Sequence, residues 1–339
     1  MLSSVYGAAA SWRRRWYARD PSRQRKLTQP VVSVGNLSVG GTGKTPTVDH
    51  LCERLLADGE RPPILTRGYG RTRPSDDVTV VSDGQRIVAD LATAGDEPLL
   101  LARLLPSVPV VVGSDRFACG RRAERDFSVT VHVLDDGFQH LTLARDVDLL
   151  LVDERDLDDR VLPTGRLREP LENAAAAHAL LVTADDFSAV EHMAHTLHVP
   201  AAFHVLRAIH TPRLLGRQAG AHTGGDRVLA FAGIARPERF FSDLSASGRP
   251  AAETITFADH HPFTQKDVDR IVERARAVGA SLALTTEKDA VRLEGLDFKG
   301  LAVQAIPLSV TIEPVAQFHR WLFDRLGSVR ASSRTTQVP

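Results

Sequence analysis

The sequence predicts an α/β fold: a parallel-sheet domain followed by a second, smaller αβ domain. Three observations predict it. Short, almost unbroken apolar runs alternate with longer segments of helical period, as in a parallel sheet covered on both faces. Polar motifs follow the carboxyl ends of those runs, where ligands bind in open α/β sheets. The alternation stops in a Gly-, Arg- and Thr-rich stretch, His210–Asp226, and restarts at Val228. A chain of 339 residues, 43% hydrophobic and 25% charged, has the length and composition for about two domains.

The elements follow in order. Over residues 2–17, Leu2, Val5, Tyr6, Ala9, Trp12 and Trp16 recur at helical spacing. Arg14, Arg15 and Arg19 lie off that stripe and Arg13 falls within it, where it would snorkel. Seven basic residues and one acid, Asp20, lie between Arg13 and Lys26. The pattern fits a helix on an anionic membrane surface, and equally a helix packed on its own domain with a solvated basic face. Pro30–Gly35 reads as a buried strand, and a helix runs from about Lys44 to Leu56 after a Gly-rich loop. Pro63–Thr66, Val78–Val81, Val108–Val112, Val129–Leu134 and Val147–Val152 read as strands, and Asp115–Arg125 as a helix. The irregular stretch Leu162–Pro170 precedes candidate strands at Leu180–Val182 and Ala201–Leu206. The second unit begins with Val228–Gly233 and continues through Ile271–Val278, Leu282–Thr286 and Leu301–Ile306. The expected organisation is an interface helix over 1–20, a larger domain over 21–220 and a smaller one over 221–330, with a frayed end from Arg330.

Several classes are excluded. Lysine plus arginine equals aspartate plus glutamate, so no global basic field for nucleic acid exists. Cys52 and Cys119 form neither a disulfide framework nor a zinc pattern, which favours a reducing, cytoplasmic setting. No run approaches the roughly 20 apolar residues of a membrane span, and no secretory apolar core precedes Arg13. His192, His195 and His198 lack an acid or cysteine to complete a ligand set and read as a solvated helix face.

The chemistry begins at Ser38-Val39-Gly40-Gly41-Thr42-Gly43-Lys44-Thr45, which follows a strand and opens a helix. That is the context of a P-loop, so the larger domain is expected to be of the P-loop NTPase type. Backbone amides and the helix N-terminus would cradle phosphates. Lys44 would reach the β- and γ-phosphates and Thr45 would put its hydroxyl on Mg²⁺. Ser38 stands where the strict motif has glycine. Partitioning-type ATPases carry a lysine at the position of Val39, which argues against that class.

Acidic motifs surround the loop. Asp135-Asp136-Gly137-Phe138-Gln139-His140 follows a strand, where an aspartate commonly supports Mg²⁺. Gly95-Asp96-Glu97-Pro98 opens a helix; its acids can hold metal or accept a proton, or Asp96 can be a plain N-cap. Together with Gly35-Asn36, Ser38–Pro46, Thr66-Arg67-Gly68-Tyr69-Gly70, Phe257-Ala258-Asp259-His260 and Thr286–Val291, these motifs resemble the tetraacyldisaccharide 4'-kinase family over residues 2–325.

The resemblance implies an ATP- and Mg²⁺-dependent kinase acting on an acylated glucosamine disaccharide 1-phosphate at the cytoplasmic face of the bacterial inner membrane, and implies no protein partner. It also favours the interfacial reading of the first helix. It gives Asp96 the role of proton acceptor, assisted by His260, and leaves Lys44 on the phosphates. Thr45, Glu97, Asp136 and Gln139 are placed around Mg²⁺. Asn36, Arg67 and Tyr69 are candidate substrate contacts, and Lys288 is left without a single role. The alternative is a membrane-associated P-loop ATPase switch with no small-molecule acceptor.

Overall fold

The computed structural model describes residues 2–73, 77–184, 186–215 and 227–335. Helix α1 (Leu2–Ala18) comes first. Strand β1 (Val31–Asn36) leads through the glycine loop to α2 (Lys44–Ala57). Then come β2 (Ile64–Thr66), β3 (Val78–Asp83), α3 (Leu91–Ala94), α4 (Asp96–Leu104), β4 (Pro109–Gly113) and α5 (Arg116–Asp126). Next are β5 (His132–Asp135), β6 (Val147–Asp153), β7 (Ala179–Thr183), α6 (Phe187–Thr196), β8 (Ala202–Ile209) and β9 (Arg213–Leu214). The chain continues with β10 (Val228–Ala232), α7 (Pro237–Ala246), β11 (Glu253–Thr256), α8 (Gln265–Ala277) and β12 (Leu282–Thr286). It ends with α9 (Glu287–Arg292), β13 (Ala302–Ile306), β14 (Leu308–Glu313) and α10 (Val315–Thr335).

Two sheets result. The larger has nine strands in the order β14-β8-β7-β6-β1-β5-β2-β4-β3, and the smaller five in the order β11-β10-β12-β13-β9. From β8 to β4 the large sheet is parallel, with β1 pairing β6 on one side and β5 on the other. Strands β1 and β6 are buried at every residue, which is why they read as almost unbroken apolar runs. The chain leaves β1 toward α2 where strand order reverses, the usual position of a ligand crevice.

Three features differ from the sequence expectations. The large sheet is parallel only in its middle, since β3 and β14 close its edges antiparallel to β4 and β8. The smaller sheet does not hold everything after residue 220. Strand β9 joins it from before that point, and β14 and α10 return to the large sheet. Phe318, Leu322 and Leu326, four apart on α10, are buried in the main core. The end is not frayed from Arg330 either: α10 runs to Thr335, and Arg330 forks onto Glu60 at 2.7 and 2.8 Å. The expected linker lies outside the described residues from 216 to 226. His192 and His195 are exposed on α6, and no group of three His, Cys, Asp or Glu suited to a metal occurs among the described residues.

Helix α1 packs one side on its own domain and leaves its apolar stripe exposed. Gly7 and Arg14 are buried against the protein, while Leu2, Val5, Tyr6, Trp12 and Trp16 are exposed. Burial of Arg14 corrects the expectation of a wholly solvated basic face.

Candidate active site

The glycine loop closes on α2 through Gly43, whose φ of 90° lies in the left-handed region that strains other L-residues. Lys44, the first residue of α2, points back over the loop. Its Nζ is 3.0 Å from Asn36 Oδ1 and 3.5 Å from Asp136 Oδ1. Asn36 Nδ2 donates to Thr42 Oγ1 at 3.0 Å and also to the Ser38 carbonyl. Asn36, expected as a substrate contact, is thus buried and occupied in bracing the loop and its lysine. Ser38 is buried too and bridges to Leu167. Residues Val39 to Thr45 line a cavity of about 1000 Å³, together with Arg67, Tyr69, Glu97, Gln139 and His260.

The two aspartates after β5 differ in environment. Asp135 is buried and accepts from Thr66 Oγ1 at 2.8 Å. Burial, then the charges of Glu97 and Asp136, push its carboxyl up to about 7 despite Lys44. Burial also acts on Asp136, but Lys44 and Arg168 outweigh it and hold that carboxyl below its ordinary range. Arg168 Nη1 donates to both Asp136 oxygens at 2.8 and 2.9 Å and reaches Gln139 Oε1 at 3.3 Å. Gln139 Nε2 donates to the Asn36 carbonyl at 3.0 Å, tying this turn to the end of β1. Asp136 has φ 52°, an uncommon backbone state for a residue other than glycine, though aspartate adopts it more readily than most.

Opposite this turn, the smaller sheet contributes a histidine. Asp96 begins α4 on the large sheet's side, and His260 follows β11 on the other. His260 Nδ1 lies 2.8 Å from Asp96 Oδ2. Arg292 approaches Asp96 at 3.6 Å and is itself fixed by Asp289 at 2.7 Å and the Gly233 carbonyl at 2.9 Å. Burial raises the Asp96 carboxyl, but the hydrogen bond to His260 and the charges of Lys288, His260 and Arg292 bring it below its ordinary value. Lys288 donates to Glu97 Oε1 at 2.8 Å and stands 3.4 Å from His260 Nε2. Burial disfavours its charge, yet Glu97 and Asp96 raise its pKa, so it stays a cation. The ring of Tyr69 sits 5.1 Å from that of His260. A carboxylate kept ionised and bonded to a histidine that shares a cavity with the phosphate loop can accept a proton from a hydroxyl as phosphate is transferred.

The model of one protein family, "Tetraacyldisaccharide-1-P 4'-kinase", matches residues 1–327. The chain belongs to that family. A tetraacyldisaccharide 4'-kinase from Koribacter versatilis is 40% identical over 318 residues, covering 92% of this chain and 93% of its own. Another from Geobacter metallireducens is 41% identical over 297 residues, covering 86% and 87%. The structure of LpxK from Aquifex aeolicus in complex with ATP superposes with a TM-score of 0.76 at 33% identity, over 96% of this chain and 97% of that one.

Most residues read from the motifs converge on the cavity. Asn36 and Ser38 do not line it, and Asp96 stands just behind Glu97 and His260. Reading the sequence missed two contributors. Arg168 comes from the irregular stretch 162–170, whose only signal was its lack of regular period. Asp135 has no sequence signal that separates it from its neighbour, because a strand's alternation does not say which of two terminal aspartates is buried against other carboxylates. Lys288 had no single role on sequence grounds; here it joins Glu97 to the second sheet.

Proposed function

We propose that this kinase transfers the γ-phosphoryl group of ATP to the 4'-hydroxyl of an acylated glucosamine disaccharide 1-phosphate. The observation that carries the reading is the Asp96–His260 pair, 2.8 Å apart and drawn from opposite sheets, whose histidine lines the cavity that also holds Lys44. In this reading Lys44 and the loop amides neutralise the β- and γ-phosphates. Asp96, ionised at neutral pH, takes the hydroxyl proton as the new P–O bond forms, and His260 orients it. Arg67 and Tyr69, at the same cavity, are the acceptor contacts. The alternative, a switch without an acceptor, leaves the buried pair without a task.

The donor set fits Mg²⁺. No three acids form a protein-only cage among the described residues, but Mg²⁺ carried by a nucleotide needs only one or two carboxylates beside the phosphates, and the charges of Glu97 and Asp136 on Asp135 are a repulsion that such a cation would relieve. Thr45, Glu97, Asp136 and Gln139 would hold the ion, with Asp135 behind them. When bound, Mg²⁺ supplies neutralisation of the phosphate oxygens. ATP and Mg²⁺ are thus the cofactors of this reading.

The same reading places the protein at the cytoplasmic surface of the bacterial inner membrane, held by α1. No described helix is long and apolar enough to cross a membrane. It also takes the large sheet with α10 as the kinase domain and β9–β13 as the smaller αβ domain.

The test is an incubation with radiolabelled ATP and an acylated glucosamine disaccharide 1-phosphate in detergent. Label in the lipid at a rate that depends on Asp96 supports the proposal. Phosphate release without labelled lipid overturns it in favour of the switch.

A further inference from the structure

Arg14 lies in a helix whose pattern assigns its basic residues to solvent, yet it is buried with 7% of its surface exposed. A buried guanidinium demands partners for a fork of donors. Arg14 Nε and Nη2 meet the two oxygens of Glu169 at 2.7 and 2.9 Å. Nη2 also donates to the Phe138 carbonyl at 2.9 Å, and the guanidinium stacks over the Phe138 ring with its carbon 4.0 Å from the centroid. Asn173 Nδ2 donates to Glu169 Oε2 at 2.8 Å, and Arg13 donates to the Gln139 carbonyl at 3.1 Å.

These contacts fall on two segments already joined at the site. Asp136 and Phe138 belong to one, Arg168 and Glu169 to the other. One ion pair, Asp136–Arg168, faces the phosphate loop, and the bonds of Arg14 to Phe138 and Glu169 clamp the same two segments from behind. The second segment is tied in turn to the phosphate loop, by Arg168 N to the Leu37 carbonyl at 2.7 Å and Val39 N to the Arg166 carbonyl at 2.8 Å. Helix α1 faces this segment with a glycine, where a Cβ would make a tight contact, 3.2 Å from Pro170 Cγ.

We propose that Arg14 is a positioning residue for phosphoryl transfer, holding residues 136–140 in place so that the first helix is part of the catalytic apparatus and not a detachable anchor. The proposal rests on the kinase reading for its kinetic consequence only. Removing the fork leaves the buried Glu169 carboxylate with the Asn173 amide but no countercharge, and frees the Phe138 carbonyl, two residues from Asp136. The expected result is misplacement of groups around the phosphates, with substrate binding largely kept.

The experiment uses the full chain in detergent, with Arg14→Ala, Arg14→Lys and Glu169→Gln. The readouts are kcat, KM for ATP and for the acylated disaccharide, and amide hydrogen exchange at residues 136–140. Arg14→Ala should lower kcat about 30- to 100-fold, the scale of a displacement of about 1 Å at a catalytic group. Both KM values should stay within about threefold, and exchange at 136–140 should rise at least about tenfold while β6 and β7 stay protected. Arg14→Lys, which keeps a charged donor without the fork, should recover part of kcat. A folded Arg14→Ala with kcat within twofold of the parent and unaltered exchange at 136–140 overturns the proposal. So does exchange rising uniformly over the whole chain, which would mean a purely global role. Should Arg14→Ala fail to fold, Glu169→Gln carries the same readouts and criteria. If the parent protein labels no lipid, the kinase reading falls, and the exchange at 136–140 alone decides on Arg14.

Discussion

At the scale of single residues, Asp135 is buried between Thr66 and the charges of Glu97 and Asp136. Its folded-state pKa of about 7 lies above the ordinary 3.8. Between those values the native state binds more protons than the unfolded chain, so stability falls as pH rises through that window and levels off above it. Asp135→Asn keeps an acceptor for Thr66 and removes the charge. It should therefore stabilise the protein at pH 8, and the gain should vanish near pH 4; urea unfolding at both values measures it. An equal difference at the two pH values would show that the charge is not the cause. Asp96 and His260 give a second prediction. If they act as one unit, Asp96→Ala lowers kcat by about 10²–10⁴ and His260→Ala by less. The double variant should then be little worse than Asp96→Ala. Multiplying losses would assign the two side chains separate tasks.

At the scale of elements, α1 presents two surfaces at once. Gly7 and Arg14 face the protein, while Leu2, Val5 and Trp12 face outward with more than 60% of their surface exposed. Such a face, bordered by the basic residues from Arg13 onward, suits the headgroup region of an anionic bilayer. Val5→Ser with Trp12→Ser should reduce co-sedimentation with anionic vesicles several-fold and leave kcat on detergent-dispersed substrate unchanged. Unaltered sedimentation would remove this face from membrane attachment. The contrast with Arg14 follows from burial: substitutions on the outward face are expected to change membrane binding, and substitutions on the inward face are expected to change turnover.

At the scale of the whole molecule, the two sheets meet through polar contacts at the cavity. His260 bonds Asp96, Lys288 bonds Glu97 at 2.8 Å, and Arg236 bonds Asp153 at 3.0 Å. Arg103 and Glu294 pair outside it. A ligand spanning this junction stabilises both sheets by mass action, by about 2.7 kcal/mol at one hundred times its Kd. ATP with Mg²⁺ should accordingly raise the melting temperature of the parent protein. Lys44→Ala should melt close to the parent without nucleotide, lose most of the ATP-dependent rise, and lower kcat by about 10²–10³. A Lys44→Ala protein that keeps the full nucleotide shift would place the phosphates elsewhere.

Strands β1, β2, β4 and β6, the loop that opens α2, and the motifs that meet at the cavity are all legible in the amino-acid order alone. These are local facts: an apolar run of strand length, a glycine turn before Lys-Thr, an acid at a helix start. The sequence also held the family resemblance, because those motifs occur in one order. Tertiary structure decided what depends on distant partners. Strand β14 and α10 read as part of the second unit until the free edge of β8 and the apolar surface around Phe318 claimed them. Asn36 read as a substrate contact until Lys44 and Thr42 occupied it. Arg14 read as solvated because helical period assigns a face and not a depth. Only Glu169, 155 residues further along the chain, gives its charge a buried partner.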